Sequence, residues 1–113
     1  MAYYAVTTQN LPLLQQAINE CRLYRDILRT DSTHGLWRHI FNPSSTPGAG
    51  HWSTGNAWAA AGMTRILATV MKAPDYLIPP DSPANAVIHL IEWIKEILDA
   101  AMASPMDQTT KLP

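Results

Sequence analysis

The sequence is poor in cysteine and in charge. Cys21 is the only cysteine among 113 residues, so no disulfide can form within the chain, although one thiol does not decide the redox compartment. Charged residues make up 15% of the chain and the formal net charge is −1. This balance gives no electrostatic attraction to nucleic acid or to an anionic membrane surface, so neither partner is predicted.

Long apolar runs are also missing. No stretch approaches the roughly 18 consecutive apolar residues of a membrane span. Residues 1–10 lack the basic start and the apolar run of a signal peptide. The sequence therefore indicates neither a membrane anchor nor a targeting signal, and it leaves the localisation of the chain open.

Residues suited to catalysis or metal binding are few. The chain contains no Gly-x-Ser-x-Gly motif and no phosphate-binding glycine loop. Glycoside hydrolysis normally uses a pair of carboxyl groups, yet residues 30–71 contain only Asp31. A zinc site formed by His34, His39 and His51 is not expected, because their spacing matches no usual zinc motif and no cysteine lies nearby. The residues alone predict neither a catalytic group nor a metal site.

What the sequence does contain is helical periodicity. Residues 11–29 repeat apolar side chains at every third or fourth position, and they follow Asn10, a residue type that caps helices. Residues 82–103 repeat the pattern from Ser82 and Pro83, a pair typical of a helix start. The predicted fold class is therefore all-α.

A helix of small residues is predicted between these two, from about Thr54 to Met71, with Ser53 or Thr54 as its cap. The connection before it covers residues 30–53, and connections of such length in compact domains are often functional. Within this connection, residues 36–41 alternate as in a short extended segment.

Some side chains allow more than one interpretation. Arg65, among small residues, is either an anion ligand or a buried structural donor. Trp93 lies on the apolar side of the third helix and is expected to pack, whereas Glu96 is expected to face solvent. For Trp52 and Trp58, packing and ligand binding both stay open, because both residues lie at a junction between a loop and a helix.

Aromatic and polar side chains concentrate at that junction. The stretch HWSTGNAWAAAGM, residues 51–63, follows GLWRH, residues 35–39. Tryptophan offers a flat apolar face to the C–H side of a sugar ring, and Asn, Thr and His supply donors and acceptors for hydroxyl and carboxylate groups. The start of a helix adds free N–H groups and a partial positive charge that favour an anionic ligand such as a uronic acid. The constellation predicts a carbohydrate-binding surface that lacks a proton donor.

These two motifs resemble the fungal members of glycoside hydrolase family 105, the unsaturated rhamnogalacturonyl hydrolases of the six-hairpin glycosidase superfamily. AYYAV and LLQQAINECRLYRDIL resemble the segment upstream in the same proteins, so the resemblance runs from about residue 2 to residue 103. It implies that residues 1–104 form a fragment, about a third, of an (α/α)6 barrel, with residues 105–113 as a disordered tail. The helix of small residues would belong to the inner ring of the barrel and the other two helices to the outer ring.

The resemblance also implies an activity. The family removes an unsaturated galacturonyl unit from rhamnose in pectin fragments by hydrating the 4,5 double bond. An aspartic acid protonates this bond and activates water, and no metal or organic cofactor is involved. Full-length members are extracellular. That aspartate lies before the segment that AYYAV matches, so this chain is expected to lack the catalytic residue and to be inactive alone.

Substrate-binding roles follow from the resemblance by position. His39, Trp52 and Trp58 match residues that line the cavity and hold the unsaturated sugar. Thr54 stands where bacterial relatives carry an arginine that contacts substrate, and Asn56 keeps the family motif, either to contact sugar or to shape the turn. The implied partner is an oligosaccharide, an unsaturated rhamnogalacturonan fragment.

Two other functions stay open. One is a non-catalytic helical module that binds a carbohydrate or a partner protein, and the other is a fragment of a different six-hairpin enzyme, such as a glucuronyl hydrolase. A barrel segment also leaves helix flanks without neighbours. At ~25 cal/mol per Å² of apolar area, such a flank forfeits several kcal/mol, which is comparable with the net stability of a domain. An exposed apolar flank and marginal stability are therefore expected.

Overall fold

The computed structural model describes residues 1–30, 35–41, 50–77, 83–105 and 108–110. No β-strand occurs among these residues, and the predicted all-α class is confirmed. The elements are α1 (Ala2–Thr7), α2 (Leu11–Leu28), α3 (Ser53–Met71), a 3-10 helix (Asp75–Leu77) and α4 (Pro83–Ala103).

The starts of α2 and α3 are built differently. Asn10 caps α2 as predicted, because its Oδ1 accepts a hydrogen bond of 3.0 Å from the Leu13 N–H. The prediction that Ser53 or Thr54 caps α3 is wrong. Trp52 occupies the N-cap position, and no side chain accepts a capping hydrogen bond there. The first turn of α3 therefore keeps its positive end free of a capping side chain.

A short helix, α1, forms where the sequence predicts only an apolar start. Its Ala2 and Ala5 are buried against Leu14 and Ala17 of α2 and against Val70 of α3. Small side chains at this contact let the backbones of three helices approach one another. This cluster closes one end of the molecule.

Helix α3 lies at the centre of the fold and runs antiparallel to α4. Near its start Ala60 packs in one cluster with Ile97 from the last turns of α4, and near its end Val70 packs with Val87 from the first turns of α4. The buried members of the larger cluster are Trp37, Ala60, Met63, Leu90 and Ile97.

Helices α2 and α4 are joined by an ion-pair cluster. Arg25 donates from Nε and Nη2 to the two oxygens of Glu96 at 2.8 and 3.0 Å, and Arg29 Nε donates to the same carboxylate. The prediction that Glu96 faces solvent is wrong, because its side chain lies against α2 and is 18% exposed. Partial burial raises the pKa of the Glu96 carboxyl, but hydrogen bonds and charges from Arg25 and Arg29 outweigh burial, so the pKa lies below its ordinary value.

The described residues expose much apolar surface. Sixteen large hydrophobic side chains are exposed in the described residues, among them Tyr24, Trp58 and Ile88 at 59%, 63% and 51%. The radius of gyration is 16.0 Å, whereas about 13 Å is typical of a compact domain of this length. The helices therefore form an open arrangement that leaves apolar surface in water.

Two predictions fall wholly or partly outside the described residues. One is the Ser82 cap of α4. The other is the disordered tail at 105–113, of which residues 106–107 and 111–113 are not described and residues 108–110 form a turn.

Candidate functional site

The connection between α2 and α3 returns to the end of α2. The Thr30 N–H donates to the Leu36 carbonyl at 3.1 Å, and the Arg38 N–H donates to the Leu28 carbonyl at 2.8 Å. These bonds make an antiparallel bridge between Arg29 and Trp37. Of the extended segment predicted at residues 36–41, only this bridge at Trp37 forms, and Trp37 packs with Ala60 and Met63 of α3.

Asn56 fixes the junction between this segment and α3. It is 5% exposed. Its Oδ1 accepts from the Trp37 N–H at 2.8 Å, and its Nδ2 donates to the Trp37 carbonyl at 2.9 Å and to the Trp52 carbonyl at 3.1 Å. Both amide N–H groups and the amide oxygen are therefore engaged with backbone, and Asn56 determines where the two tryptophans stand.

Trp52 and His39 form the walls of a depression of about 240 Å³, here called the Trp52 cleft. The two rings meet edge to face, with centroids 4.9 Å apart and planes at 61°. The indole lies over Gly55, where an added Cβ would come within 2.9 Å of it. Trp52 remains 49% exposed, so an aromatic surface stays open to a ligand. The cleft is lined by Leu28, Trp37, Arg38, His39, Trp52, Gly55, Asn56 and Ala59.

Several hydrogen-bond donors lie in the lining of the Trp52 cleft, and none of the described lining residues is a carboxylate. The Arg38 guanidinium lies 5.5 Å from the Phe41 ring centroid, and its Nη2 donates to the Ile27 carbonyl at 3.3 Å. Arg38 Nε and Trp37 Nε1 are buried and have no acceptor in the described part of the chain. This environment suits a ligand rich in acceptors, such as hydroxyl and carboxylate oxygens, and its described residues include no carboxylic acid for proton donation.

Trp58 lies apart from the Trp52 cleft. It lines a different depression of about 370 Å³, almost wholly apolar, between α2 and α3. This depression, here called the α2–α3 groove, is lined by Met1, Ala17, Glu20, Cys21, Tyr24, Trp37, Trp58, Ala59, Gly62, Met63 and Ile66. Thr54 is exposed on the first turn of α3 and lines neither depression. The structure thus brings together His39, Trp52 and Asn56, but not Trp58 or Thr54.

Two residues that line the Trp52 cleft were not among the site residues predicted from the sequence. Trp37 and Arg38 stand in the GLWRH motif beside His39, and both line the Trp52 cleft. Alternation was a signal for Trp37 alone, because every second side chain of an extended segment faces the same side, whereas Arg38 is adjacent to His39. Only the contact with Asn56 shows that Trp37 also lies beneath the cleft.

The other histidine, arginine and cysteine side chains considered as candidates are less suited to bind a ligand or to take part in catalysis. His51 Nε2 lies 2.9 Å from Thr30 Oγ1, and His34 lies outside the described residues. The interpretation of Arg65 as a buried donor is wrong, because Arg65 is exposed on α3. Partial burial raises the pKa of the Cys21 thiol, so little reactive thiolate is present at neutral pH.

Over the described ranges, no group of three or more His, Cys, Asp or Glu side chains could hold a metal ion. None of the described helices is both long and apolar enough to cross a membrane. Comparisons with known protein families, with curated proteins and with solved structures found no significant match to this chain.

Proposed function

We propose that the chain is a partial (α/α)6 domain of the glycoside hydrolase family 105 type, and that its Trp52 cleft binds an acidic saccharide. The observation that carries this proposal is the half-exposed Trp52 ring, held edge to face against His39 beside a cleft whose described lining contains donors and no carboxylate. The proposed ligand class is the unsaturated galacturonyl unit of rhamnogalacturonan fragments.

The chemistry of the cleft supports an acidic sugar over a neutral apolar ligand. A pyranose ring has C–H groups that pack on an aromatic face and hydroxyls that bind donors and acceptors. Arg38 and His39 in the described lining are side-chain types that donate hydrogen bonds to carboxylate and hydroxyl oxygens.

The start of α3 adds to the preference for an anion. It has no capping side chain and no acidic residue in its first turn. Its partial positive charge is therefore available to a ligand in the cleft, since Gly55 and Asn56 of the same turns line it.

Binding without hydrolysis is the proposed activity of this chain. Protonation of the substrate double bond requires an acid at the sugar, and none of the described residues that line the Trp52 cleft is Asp or Glu. Glu96 does not line this cleft, and its carboxylate is held by Arg25 and Arg29, which lower its pKa and keep it ionised. It is therefore unsuited to donate a proton.

The test uses two readouts on the same ligand. Calorimetric titration with the unsaturated rhamnogalacturonan disaccharide should show binding, and a neutral disaccharide of equal size should bind at least about tenfold more weakly, a difference of about 1.4 kcal/mol. The ultraviolet absorbance of the double bond should stay constant during incubation. Equal affinity for both sugars, or no binding, would contradict the proposed ligand class. Turnover that a substitution in this chain abolishes would contradict the proposal of binding alone.

A further inference from the structure

The α2–α3 groove has a composition unlike that of the Trp52 cleft. Apolar side chains from both helices form nearly all of its surface, and Glu20 is the only residue in its described lining with a charged side chain. Trp58 stands at the groove with 63% of its surface exposed. One turn further along α3, nothing lies within 4 Å of the position that a Cβ on Gly62 would occupy. A projecting ring and an unfilled space therefore occur next to each other on one helix.

We propose that the α2–α3 groove is a dimerisation surface, and that Trp58 of each copy enters the groove of the other about a twofold axis. A twofold contact requires that one patch carries both complementary parts, because residue i contacts residue j and residue j contacts residue i. Trp58 supplies the part that projects, and the space beside Gly62 and Ala59 supplies the part that receives it.

The charges at this surface favour a second copy as the occupant. Arg65 follows Gly62 by three positions and so lies on the same face of α3 as Trp58. Arg65 is exposed and Glu20 is half-buried, and neither forms an ion pair within the described residues. In a twofold arrangement the Arg65 of one copy can meet the Glu20 of the other, and this pairing occurs twice.

The molecule exposes more surface than a compact monomer does. Its accessible surface measures 7673 Å², whereas a compact monomer of 12.5 kDa exposes about 6,200 Å². This excess is spread over the whole molecule, and the α2–α3 groove is one part of it. The formal net charge of −1 adds little repulsion between copies.

The experiment is sedimentation equilibrium of the full chain over a range of concentrations, with helicity by circular dichroism as the folding control. We expect a reversible dimer of twice 12.5 kDa. The Trp58→Ala variant should raise the dissociation constant by about thirtyfold or more, as for an interface hot spot. Trp52→Ala is the matched control, because Trp52 lies outside the groove, and its dissociation constant should stay within about threefold of the original.

Charge reversal provides a second test that does not rely on removing a large side chain. Arg65→Glu and Glu20→Arg should each weaken the dimer by about tenfold, and the double variant should regain most of the affinity. A monomer at every concentration, aggregates without a dimer plateau, or a dimer insensitive to Trp58→Ala would overturn the proposal. So would a chain that stays monomeric until a polypeptide with further barrel helices is added. None of these results depends on sugar binding.

Discussion

Asn56 is the residue on which the candidate site most depends. Its amide satisfies the N–H and the carbonyl of Trp37 and also binds the Trp52 carbonyl, all at a position that is 5% exposed. No other side chain type of this size offers one acceptor and two donors in a fixed plane. Asn56 therefore acts on the cleft through the two tryptophan backbones, whether or not it also contacts a sugar.

Replacement of Asn56 by Ala should destabilise the fold by about 2–4 kcal/mol, because buried backbone groups of Trp37 lose their partners. Asn56→Asp should also destabilise it, since a carboxylate accepts from the Trp37 N–H but cannot donate to two carbonyls. Urea denaturation measures both effects. The matched control is Asn85→Ala, at an exposed position of α4, with an expected change within about 0.5 kcal/mol. Equal stabilities for the Asn56 and Asn85 variants would refute this role.

The separation of Trp52 from Trp58 shows what the motif alone could and could not predict. The residue types of the motif predicted that aromatic and polar side chains gather at this junction, and His39 does contact Trp52. However, Trp52 is the N-cap residue with an extended backbone, whereas Trp58 lies within α3. The direction of one ring therefore does not fix that of the other, and the motif alone could not predict whether the two rings share one wall.

At the scale of elements, the Glu96 cluster links α4 to the end of α2 and to the segment that carries Trp37. Arg25 and Arg29 hold the pKa of Glu96 below its ordinary value of 4.5. A lowered folded-state pKa stabilises the fold above the unfolded value, and this contribution is lost as the pH falls through the folded value. The cluster should therefore make the protein less stable below pH 4.5.

Glu96→Gln tests this contribution. At neutral pH it should lower the free energy of unfolding by about 1–2 kcal/mol, because two guanidinium groups lose a charged acceptor. The difference from the original protein should shrink as the pH falls below 4.5, the ordinary value for Glu96. Glu92→Gln, whose side chain is 63% exposed, is the control. A difference that is constant with pH would contradict the proposed charge on Glu96.

Substitution of Gly35 tests how closely the connection between α2 and α3 packs against the Glu96 cluster. Its φ is +130°, and a Cβ would overlap Glu96 Cγ and come within 3.0 Å of the Glu96 carbonyl oxygen. Gly35→Ala should destabilise the fold by about 2 kcal/mol or more, from backbone strain and displacement of Glu96. The control is Gly50→Ala, outside the α2–α3 groove, where a methyl meets nothing within 4 Å and the lower conformational entropy of the unfolded chain favours Ala by about 0.4–1 kcal/mol. Thermal unfolding should shift in opposite directions for the two variants.

The helices were largely predictable from the sequence, because the spacing of apolar residues and the capping residues are local signals. The periodicity located α2, α3 and α4 to within one or two residues, and Asn10 was identified as a cap. The position of Glu96 was not predictable in this way. It depends on Arg25 and Arg29, about 70 residues away in sequence, and helix periodicity carries no information about which neighbour covers a polar face.

At the scale of the whole molecule, the apolar groove and the open shape link stability to association. If two copies cover the groove, association stabilises the folded chain, and this stabilisation grows with protein concentration by mass action. The thermal midpoint of the chain should then rise with protein concentration, and Trp58→Ala should abolish this dependence. Differential scanning calorimetry at several concentrations measures it. A sharp, reversible transition with a midpoint independent of concentration would argue for a stable monomer instead.

The central claim concerns the Trp52 cleft, and one comparison tests it most directly. Calorimetric affinity for the unsaturated rhamnogalacturonan disaccharide is measured in the original chain, in Trp52→Ala and in Trp58→Ala. We expect Trp52→Ala to weaken binding by about tenfold or more, the loss of an aromatic contact worth about 1.4 kcal/mol, and Trp58→Ala to leave it within about threefold. Loss of binding in Trp58→Ala, with affinity retained in Trp52→Ala, would contradict the account.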